Sequence, residues 1–390
     1  MLEKTDISYI GQTNFRNERK AFGIKEGDRL SHLYLVGKTG TGKSTTLMHL
    51  AMQDIYGDRG CALFDGHGDL AERIASRIPE KRKEDLIYLN VADTELGFNP
   101  LLSIPPNRRP LVASEILEAF KKIWIDSWGP RLEHFLRQGL LCLLDQPSAT
   151  LADMLRLFDE PTYRKRAAGR VSNPHVRQFW LSEYETYPAR LRADATSPVR
   201  NKVGAFLAHP RIARIVTAEK NSLDLRRIMD ERKILVVNLA KGKIGEDAAL
   251  LFGALLFSLM GDAALSRADI PENQRRDFHI YLDEFQSITS LSLAGMLSEL
   301  RKYRVSLTLS HQHISQLHPF VRDAILGNVG TIASFRVGAV DAELLAKEFY
   351  PVFHADDFIR LPNYQMYLKL MIDGVASRPF SAETLPPGYF

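Results

Sequence analysis

Two short segments carry the residues best suited to chemistry. The first, GKTGTGKS at Gly37–Ser44, follows the apolar run LYLV and precedes a segment with helical spacing. It fits the pattern G-x-x-x-x-G-K-[ST] in the strand–loop–helix context that the pattern requires. Such a loop turns successive backbone N–H groups inward in front of a helix N-terminus, an arrangement that attracts phosphate. The sequence therefore predicts a nucleotide-binding loop.

Each residue type in this loop has a chemical reason. The glycines let the backbone curl, Lys43 can reach the β- and γ-phosphates, and the Ser44 hydroxyl can bind Mg²⁺. The residues expected to surround the nucleotide are Gly37, Thr39, Gly40, Thr41, Gly42, Lys43, Ser44 and Thr45. The alternative is a glycine-rich turn between strand and helix that holds no ligand.

The second segment, FHIYLDEF, is an apolar run that ends in two carboxylates, Asp283 and Glu284. At the end of a buried strand, Asp283 is expected to bind Mg²⁺ through its water shell, together with Ser44. Glu284 is expected to act as the base for an attacking water. Combined with the phosphate loop, the pair favours ATP hydrolysis over binding alone. The alternative is that Glu284 merely caps the next helix.

Further polar residues stand near a third predicted strand, Val305–Ser310. Gln312 follows this strand, which we expect to lie between the two strands that carry the motifs. There it could sense the γ-phosphate or orient the water. Arg301 precedes the strand and could reach the ATP of a neighbouring subunit as an arginine finger. Arg304 and Arg336 are rivals, because from the sequence any surface arginine looks the same.

The composition is that of a soluble globular protein, with 390 residues, 45% hydrophobic, 25% charged and a net charge of +4. Residues 105–230 hold 21 Lys/Arg against 14 Asp/Glu, a local excess of +7. That excess permits a nucleic-acid partner but also fits a solvated helical surface. The two cysteines form neither a disulfide framework nor a metal motif. The apolar stretch Ala248–Gly261 is shorter than the ~20 residues of a membrane span, so we expect a buried core helix.

The order of patterns predicts an α/β protein with a mostly parallel sheet and an all-α insertion. Short apolar runs alternate with helical spacing up to residue 104, and the alternation resumes at 231. We therefore predict that 1–104 and 231–390 form one core, with 105–230 as the inserted helical domain. A hairpin is expected near the C-terminus, turning at Asp373-Gly374.

Several segments together resemble a known family. FDGHGDL, LDEFQS, LSELRKYRVSLTLSHQHISQL and GNVGTIASFRVGAVDAELLAKEF are similar to the conjugative coupling-protein ATPases (TraG/TraD-like, type IV secretion) of the FtsK/HerA superfamily of P-loop motors. The resemblance covers about residues 20–385. It implies a RecA-like P-loop NTPase core, a ring of usually six subunits with ATP sites at their interfaces, and DNA in the central channel.

The resemblance also implies roles at matching positions. Lys43 and Ser44 match the phosphate loop, Asp283 and Glu284 the acidic pair, and Gln312 the sensor. The arginine that acts across the subunit interface is matched by Arg301. The helical insertion corresponds to the all-α domain of coupling proteins, which usually contacts the transferred substrate and accessory proteins.

Two departures from these relatives affect the expected location. Coupling proteins typically carry N-terminal transmembrane helices, and HerA-type proteins an N-terminal β-barrel, but neither is predicted in this chain. We therefore expect a cytoplasmic protein that a partner could recruit to the inner membrane. Candidate partners are a relaxase, a nuclease or a secretion-channel protein.

DNA contact is expected from basic segments. Leu239–Asp247 follows a buried strand and offers Lys241 and Lys243 as phosphate contacts in a pore loop, against the alternative of an ordinary strand–helix turn. In the insertion, Tyr163 and the pair Phe179-Trp180 could stack on unpaired bases. The alternative, that these rings form a helical core, is the stronger one.

The predicted function is thus a ring-forming, Mg²⁺-dependent ATPase that translocates DNA. One alternative is a recruitment module whose assembly ATP controls and whose helical insertion binds a relaxase, nuclease or other effector. Another is a HerA-like motor that works with a nuclease. A metabolic kinase is disfavoured, because no phosphoacceptor lid is present and the acidic pair suits water activation.

Overall fold

The computed structural model describes residues 6–14, 18–386 and 389. The chain divides into two compact units. The first, here called the sheet unit, contains the described residues of Met1–Leu89, Arg226–Asn238 and Ala263–Phe390. The second, the helical unit, contains Asn90–Leu225 and Leu239–Asp262.

An eleven-stranded sheet has the strand order β2-β1-β13-β10-β9-β3-β8-β7-β4-β6-β5, and β11 and β12 form a separate ribbon. The strands are β1 (Ile7–Thr13), β2 (Ala21–Lys25), β3 (Leu33–Val36), β4 (Gly60–Asp65), β5 (Leu86–Asn90), β6 (Ile234–Asn238), β7 (Phe278–Asp283), β8 (Val305–His311), β9 (Thr331–Ser334), β10 (Gln365–Lys369), β11 (Met371–Ile372), β12 (Val375–Ala376) and β13 (Phe380–Thr384).

The centre of the sheet is parallel. β9, β3, β8, β7, β4 and β6 pair in that order, each parallel to the next. Nearly every residue of these strands is buried, as expected of parallel strands covered on both faces. Their continuous apolar runs made them predictable. β9 ends at Ser334, although Phe335 N still donates to Val36 O at 2.8 Å.

One edge of the sheet is antiparallel. β10 pairs with β9 and β13, and β1 pairs with β13 and β2. The predicted C-terminal hairpin is present: its turn at Asp373-Gly374 has positive φ at both residues and joins β11 to β12. The N-terminal hairpin of β1 and β2 was not predicted, because Gly11 and Gly23 interrupt its pattern and its partner β13 is remote in sequence.

The helices are α1 (Glu26–Arg29), α2 (Lys43–Tyr56), α3 (Asp69–Ala75), α4 (Arg109–Ile123), α5 (Pro130–Leu144), α6 (Asp153–Asp159), α7 (Pro161–Arg170), α8 (Pro174–Gln178), α9 (Tyr184–Thr186), α10 (Ala189–Leu207), α11 (Pro210–Val216), α12 (Leu225–Asp230), α13 (Lys241–Ile244), α14 (Glu246–Leu265), α15 (Ser292–Glu299), α16 (Pro319–Asn328), α17 (Ala339–Glu348) and α18 (Ala355–Arg360). From Val91 to Lys233, a stretch described throughout, every regular element is helical.

The helical unit has its own aromatic core. Trp180 is fully buried and donates from Nε1 to Gln138 O at 3.1 Å, and Phe179 is buried beside it. Phe135 and Tyr184 pack against this pair. The rings at 179 and 180 are therefore core residues, as the stronger alternative predicted, and are not available to stack on bases.

One helix in the described part of the chain, Glu246–Asp269, is long and apolar enough to cross a membrane. Because 72% of its apolar window is buried inside the protein, the expectation of a core helix holds for it.

A buried polar network fixes α2 against the sheet. Arg29 donates to both carboxylate oxygens of Asp54 on α2, at 2.6 and 3.0 Å, and to the Tyr281 hydroxyl on β7 at 2.7 Å. Tyr281 also donates to Asp54. The Arg29 and Arg59 guanidinium groups hold the pKa of Asp54 below its usual range despite complete burial. Because a buried ion pair without one partner is costly, this network holds the phosphate-loop helix to the strand of the acidic pair.

Candidate functional site

The loop after β3 is shaped by close approaches of its backbone. A Cβ at Gly37 would lie 2.6 Å from Phe335 Cβ, so only glycine fits there. Gly42 has φ +126°, a conformation that residues with a side chain rarely adopt, and α2 begins at the next residue. The Thr41 hydroxyl donates to Lys38 O at 2.7 Å and braces the loop. The loop thus has the curled form that its sequence predicts.

Lys43 is buried and folds back over its own loop. Its Nζ donates to Gly37 O at 2.5 Å and to Lys38 O at 3.2 Å. Burial lowers the pKa of the Lys43 ammonium, and the nearby Glu284 and Asp283 carboxylates oppose that shift. The ammonium is therefore held by neutral carbonyl groups at the cavity wall, where an anion could replace them.

Asp283 ends β7 and lies opposite Ser310 of β8 in the parallel register. It accepts hydrogen bonds from Ser44 Oγ at 3.3 Å and from Ser310 Oγ at 3.1 Å. Burial raises the pKa of Asp283 to about 6, and the Asp65 and Glu284 carboxylates add to the rise. Ser44 and Asp283, predicted to share a metal ion, are thus in direct contact.

Glu284 has left-handed backbone angles, φ 50° and ψ 50°, which are uncommon for a non-glycine residue and concentrate at functional sites. Its Oε1 accepts from Gln312 Nε2 at 2.9 Å and its Oε2 from Gln286 Nε2 at 2.8 Å. Gln312 Oε1 in turn accepts from the Thr39 hydroxyl at 2.9 Å. A hydrogen-bond chain therefore runs from the phosphate loop through Gln312 to the acidic pair.

This chain of hydrogen bonds requires β8 to lie between β3 and β7. The strand order places β8 there, which confirms the position predicted for the strand before Gln312. Ser310 and Gln286 were not predicted. A serine that ends the apolar run of β8 could have indicated the first of them. Gln286 gave no signal, because its role depends on the turn that follows Glu284.

A cavity of about 530 Å³ opens above these groups. Its lining residues are Thr39, Gly40, Gly42, Lys43, Ser44, Thr45, Asp65, His67, Asp69, Leu70, Arg73, Asp283, Glu284, Gln312 and Tyr364. All predicted nucleotide and catalytic residues line it except Gly37, Thr41 and Arg301. The lining contains four carboxylates and the cationic side chains of Lys43 and Arg73, a combination that suits a divalent cation as well as phosphate.

Asp65, in the segment FDGHGDL, has a local structural role. Its Oδ1 accepts from His67 N at 2.9 Å, and its Oδ2 accepts from Leu70 N and Ala71 N at 2.8 and 3.0 Å. It therefore closes an Asx turn and binds the exposed N–H groups at the start of α3.

The three candidate arginines lie in different settings. Arg304 forms an ion pair with Asp277, and Arg336 donates to Leu361 O and to Asn363 Oδ1. Arg301 is exposed and makes no hydrogen bond or ion pair through its side chain with any described residue. It precedes β8, whereas Gln312 follows it, so about 20 Å of strand separates Arg301 from the cavity edge of its own sheet.

Lys241 and Lys243 belong to the helical unit, whereas the groups described above belong to the sheet unit. The structure adds one detail: the predicted pore loop contains a short helix, α13. The residue before this helix, Ala240, has a left-handed backbone conformation. Lys241 Nζ is 3.9 Å from Glu246 Oε1, and Lys243 is exposed. Backbone hydrogen bonds from 243, 244 and 245 to 240 and 241 form this helical turn within the segment.

No family model matches the sequence, and no curated protein matches it. Solved structures do match. The unbound monoclinic form of the bacterial conjugative coupling protein TrwBdeltaN70 aligns with 96% of this chain and 88% of its own, with a TM-score of 0.65 and 15% identity. The chain has the coupling-protein fold.

Two further structures share the coupling-protein fold. The plasmid coupling protein TrwB in complex with ADP and Mg²⁺ aligns over 96% of this chain and 89% of its own, with a TM-score of 0.63 and 16% identity. VirB4 of Thermoanaerobacter pseudethanolicus aligns with 98% of this chain and 96% of its own, with a TM-score of 0.60 and 13% identity. The predicted fold class, an α/β P-loop core with a mostly parallel sheet, is confirmed.

The raised pKa of Asp283 predicts that removing its charge stabilises the ligand-free protein. In the unfolded chain the Asp283 carboxyl has a pKa of ~3.9, and in the folded protein a pKa of about 6. As pH rises through this interval, ionisation of Asp283 therefore costs the folded protein stability relative to the unfolded chain. Asp283→Asn should raise the free energy of unfolding by about 1–2 kcal/mol at pH 8, and by less at pH 5. Urea denaturation at both pH values measures this difference.

Asp356→Asn is the matched control, because Asp356 is exposed on α18 and makes only a 3.7 Å ion pair with Arg360. It should change stability little at either pH. A destabilised Asp283→Asn variant at pH 8 would show that the hydrogen bonds from Ser44 and Ser310 outweigh the carboxylate repulsion.

Proposed function

We propose that this chain is a ring-forming, Mg²⁺-dependent ATPase of the coupling-protein type that binds and translocates DNA. The observation that carries the proposal is the convergence of Lys43, the Asp283-Glu284 pair and Gln312 at one cavity. Within it, hydrogen bonds link Thr39 of the loop to Gln312 and Gln312 to Glu284. The fold shared with TrwB, which has been solved with ADP and Mg²⁺ and with a non-hydrolysable ATP analogue, supports it.

The residues present fit ATP and Mg²⁺. The loop N–H groups and Lys43 would hold the phosphates, with Lys43 exchanging its two carbonyl partners for phosphate oxygens. Ser44 and Asp283 would hold Mg²⁺, Asp283 through water, and their present contact places both at one point. Bound Mg²⁺ supplies positive charge to the β- and γ-phosphate oxygens.

Glu284 would accept a proton from the attacking water. The water oxygen forms a bond to the γ-phosphorus as the bond from that phosphorus to the β,γ-bridging oxygen breaks, and ADP leaves. Gln312 and Gln286 each donate to one of the two carboxylate oxygens, so the base has a fixed orientation. Through Thr39, Gln312 also links that orientation to the phosphate loop.

Replacing Glu284 by Gln should leave ATP binding intact and lower the hydrolysis rate by roughly 10²–10⁴-fold, the contribution of a positioned general base. Steady-state phosphate release, measured beside ATP affinity, tests this. Glu343→Gln on α17, an exposed carboxylate outside the cavity lining, is the matched control and should hydrolyse ATP like the wild type. Unchanged turnover in Glu284→Gln would remove Glu284 from the role of base.

We assign Arg301 to the ATP site of a neighbouring subunit. The distance along β8 keeps it from the cavity of its own chain, and its side chain is free of described partners, whereas Arg304 and Arg336 are engaged. A guanidinium that arrives from a second subunit would stabilise negative charge in the transition state and make turnover depend on assembly.

A mixing experiment tests action between subunits. Arg301→Ala and Lys43→Ala should each reduce turnover by at least about 10³-fold. Mixed and reassembled, they should regain part of the activity, because some interfaces then combine an intact Lys43 site with an intact Arg301. Lys302→Ala, the exposed neighbour, is the control and should stay active alone. Absence of recovery in mixed assemblies that do form would place Arg301 outside this role.

In this proposal the helical unit binds DNA, and Lys241 and Lys243 on α13 contact the phosphates of the DNA backbone. We also propose that residues 105–230 form an inserted domain that contacts the substrate. The assembly in this proposal is a homo-hexamer. It is located in the cytoplasm, and a partner recruits the ring to the inner membrane. A relaxase, a nuclease or a secretion-channel protein is the proposed partner class.

Replacing Lys241 and Lys243 together by Ala should leave basal ATP turnover unchanged and abolish its stimulation by DNA. For every phosphate that the variant no longer neutralises, the salt dependence of its affinity for duplex DNA should fall by about 0.9 in log–log slope. Lys81→Ala with Lys83→Ala is the matched control, with the same spacing and charge change on exposed lysines. Titrations with single- and double-stranded DNA at several salt concentrations measure both effects.

Turnover that no form of DNA stimulates in the wild type would oppose the motor. It would instead favour an ATP-controlled recruitment module, in which the helical unit binds an effector protein.

A further inference from the structure

Tyr364 is an exposed aromatic residue on the wall of the nucleotide cavity. Its side chain lines the same cavity as Lys43 and Glu284, yet 53% of the residue's surface is accessible. Aromatic rings usually gain their stabilisation from burial. The roles assigned above, in binding phosphate, Mg²⁺ and the attacking water, do not involve this ring.

The backbone holds Tyr364 firmly against the phosphate loop. Tyr364 N donates to Thr41 O at 2.8 Å, and Thr384 N donates to Tyr364 O at 2.8 Å. A Cβ at Gly42 would lie 3.4 Å from Tyr364 Cδ1, so the ring is within van der Waals reach of the loop. The residue also has φ +66°, a left-handed conformation that is unusual for a bulky side chain. These contacts fix the backbone of Tyr364 beside the loop.

The hydrolytic groups and Tyr364 meet the loop at different residues. Thr39 bonds Gln312, which bonds Glu284, and this end must receive the γ-phosphate if Glu284 is the base. Tyr364 instead adjoins Thr41 and Gly42. A nucleotide whose terminal phosphate lies beside Glu284 has its base at its other end, away from Thr39 and Gln312.

We propose that the Tyr364 ring is a stacking face for the nucleobase of the bound nucleotide. This inference rests on the nucleotide site proposed above and names a residue that binds the base rather than the phosphates. An exposed ring whose backbone is hydrogen-bonded to the phosphate loop offers a flat apolar surface at the cavity wall. Because every base has a π-face, stacking is tolerant of base identity.

The test separates base from phosphate by using two probes, ATP and inorganic tripolyphosphate, titrated calorimetrically with Mg²⁺. Tyr364→Asn removes the ring and keeps a residue that tolerates positive φ. It should weaken ATP binding by roughly ten- to a hundredfold and leave tripolyphosphate binding unchanged. GTP should weaken by a similar factor. Tyr364→Phe should bind ATP like the wild type, because the ring remains.

Tyr350→Asn is the matched control, since Tyr350 is a 76% exposed tyrosine outside the cavity lining. Equal ATP affinity in Tyr364→Asn and the wild type would overturn the proposal. So would an equal loss for tripolyphosphate, because the residue would then only support the loop. Lys43→Ala tests the underlying site separately: if it binds both probes normally, the nucleotide site itself is wrong.

Discussion

The parallel pairing of β3, β8 and β7 is the constraint on which the site depends. In this register Val36 lies opposite His311, and Asp283 lies opposite Ser310, so all three strands end at one edge. The loop after β3, the acidic pair at the end of β7 and Gln312 after β8 therefore converge at this edge. A shift by one residue would turn each strand's side chains to the other face.

Buried polar groups secure that register. His311 binds the Tyr34 hydroxyl through Nδ1 and His313 O through Nε2, at 3.0 and 2.8 Å. Burial lowers the pKa of His311 to about 3, so it stays neutral and can serve both partners at physiological pH. These bonds join β3 to β8, and the Arg29–Asp54–Tyr281 network joins β7 to α2. Such directional contacts are not provided by apolar packing alone.

At the cavity, these fixed elements hold carboxylate groups close enough to repel one another. Asp283 and Glu284 are neighbours, Asp65 is close, and Lys43 is the buried cation among them. The left-handed backbone at Glu284 adds conformational strain at the same point. Such sites are less stable than the rest of the fold but are prepared for cations and phosphate. The proposed ligands would relieve the repulsion that the ligand-free protein contains.

The sequence by itself determined the local chemistry and the parallel core. GKTGTGKS specifies its loop through glycine conformations and a following helix, and the apolar runs ending in Asp283 and before Gln312 specify buried strands. These signals are local, so they can be read along the chain. Only the tertiary structure decided the partners of these residues. Gln286 reaches Glu284 through a strained turn, and Tyr364 and the β1–β2 hairpin take their places through pairing with segments remote in sequence. Such contacts depend on strand order and register, which no single segment encodes.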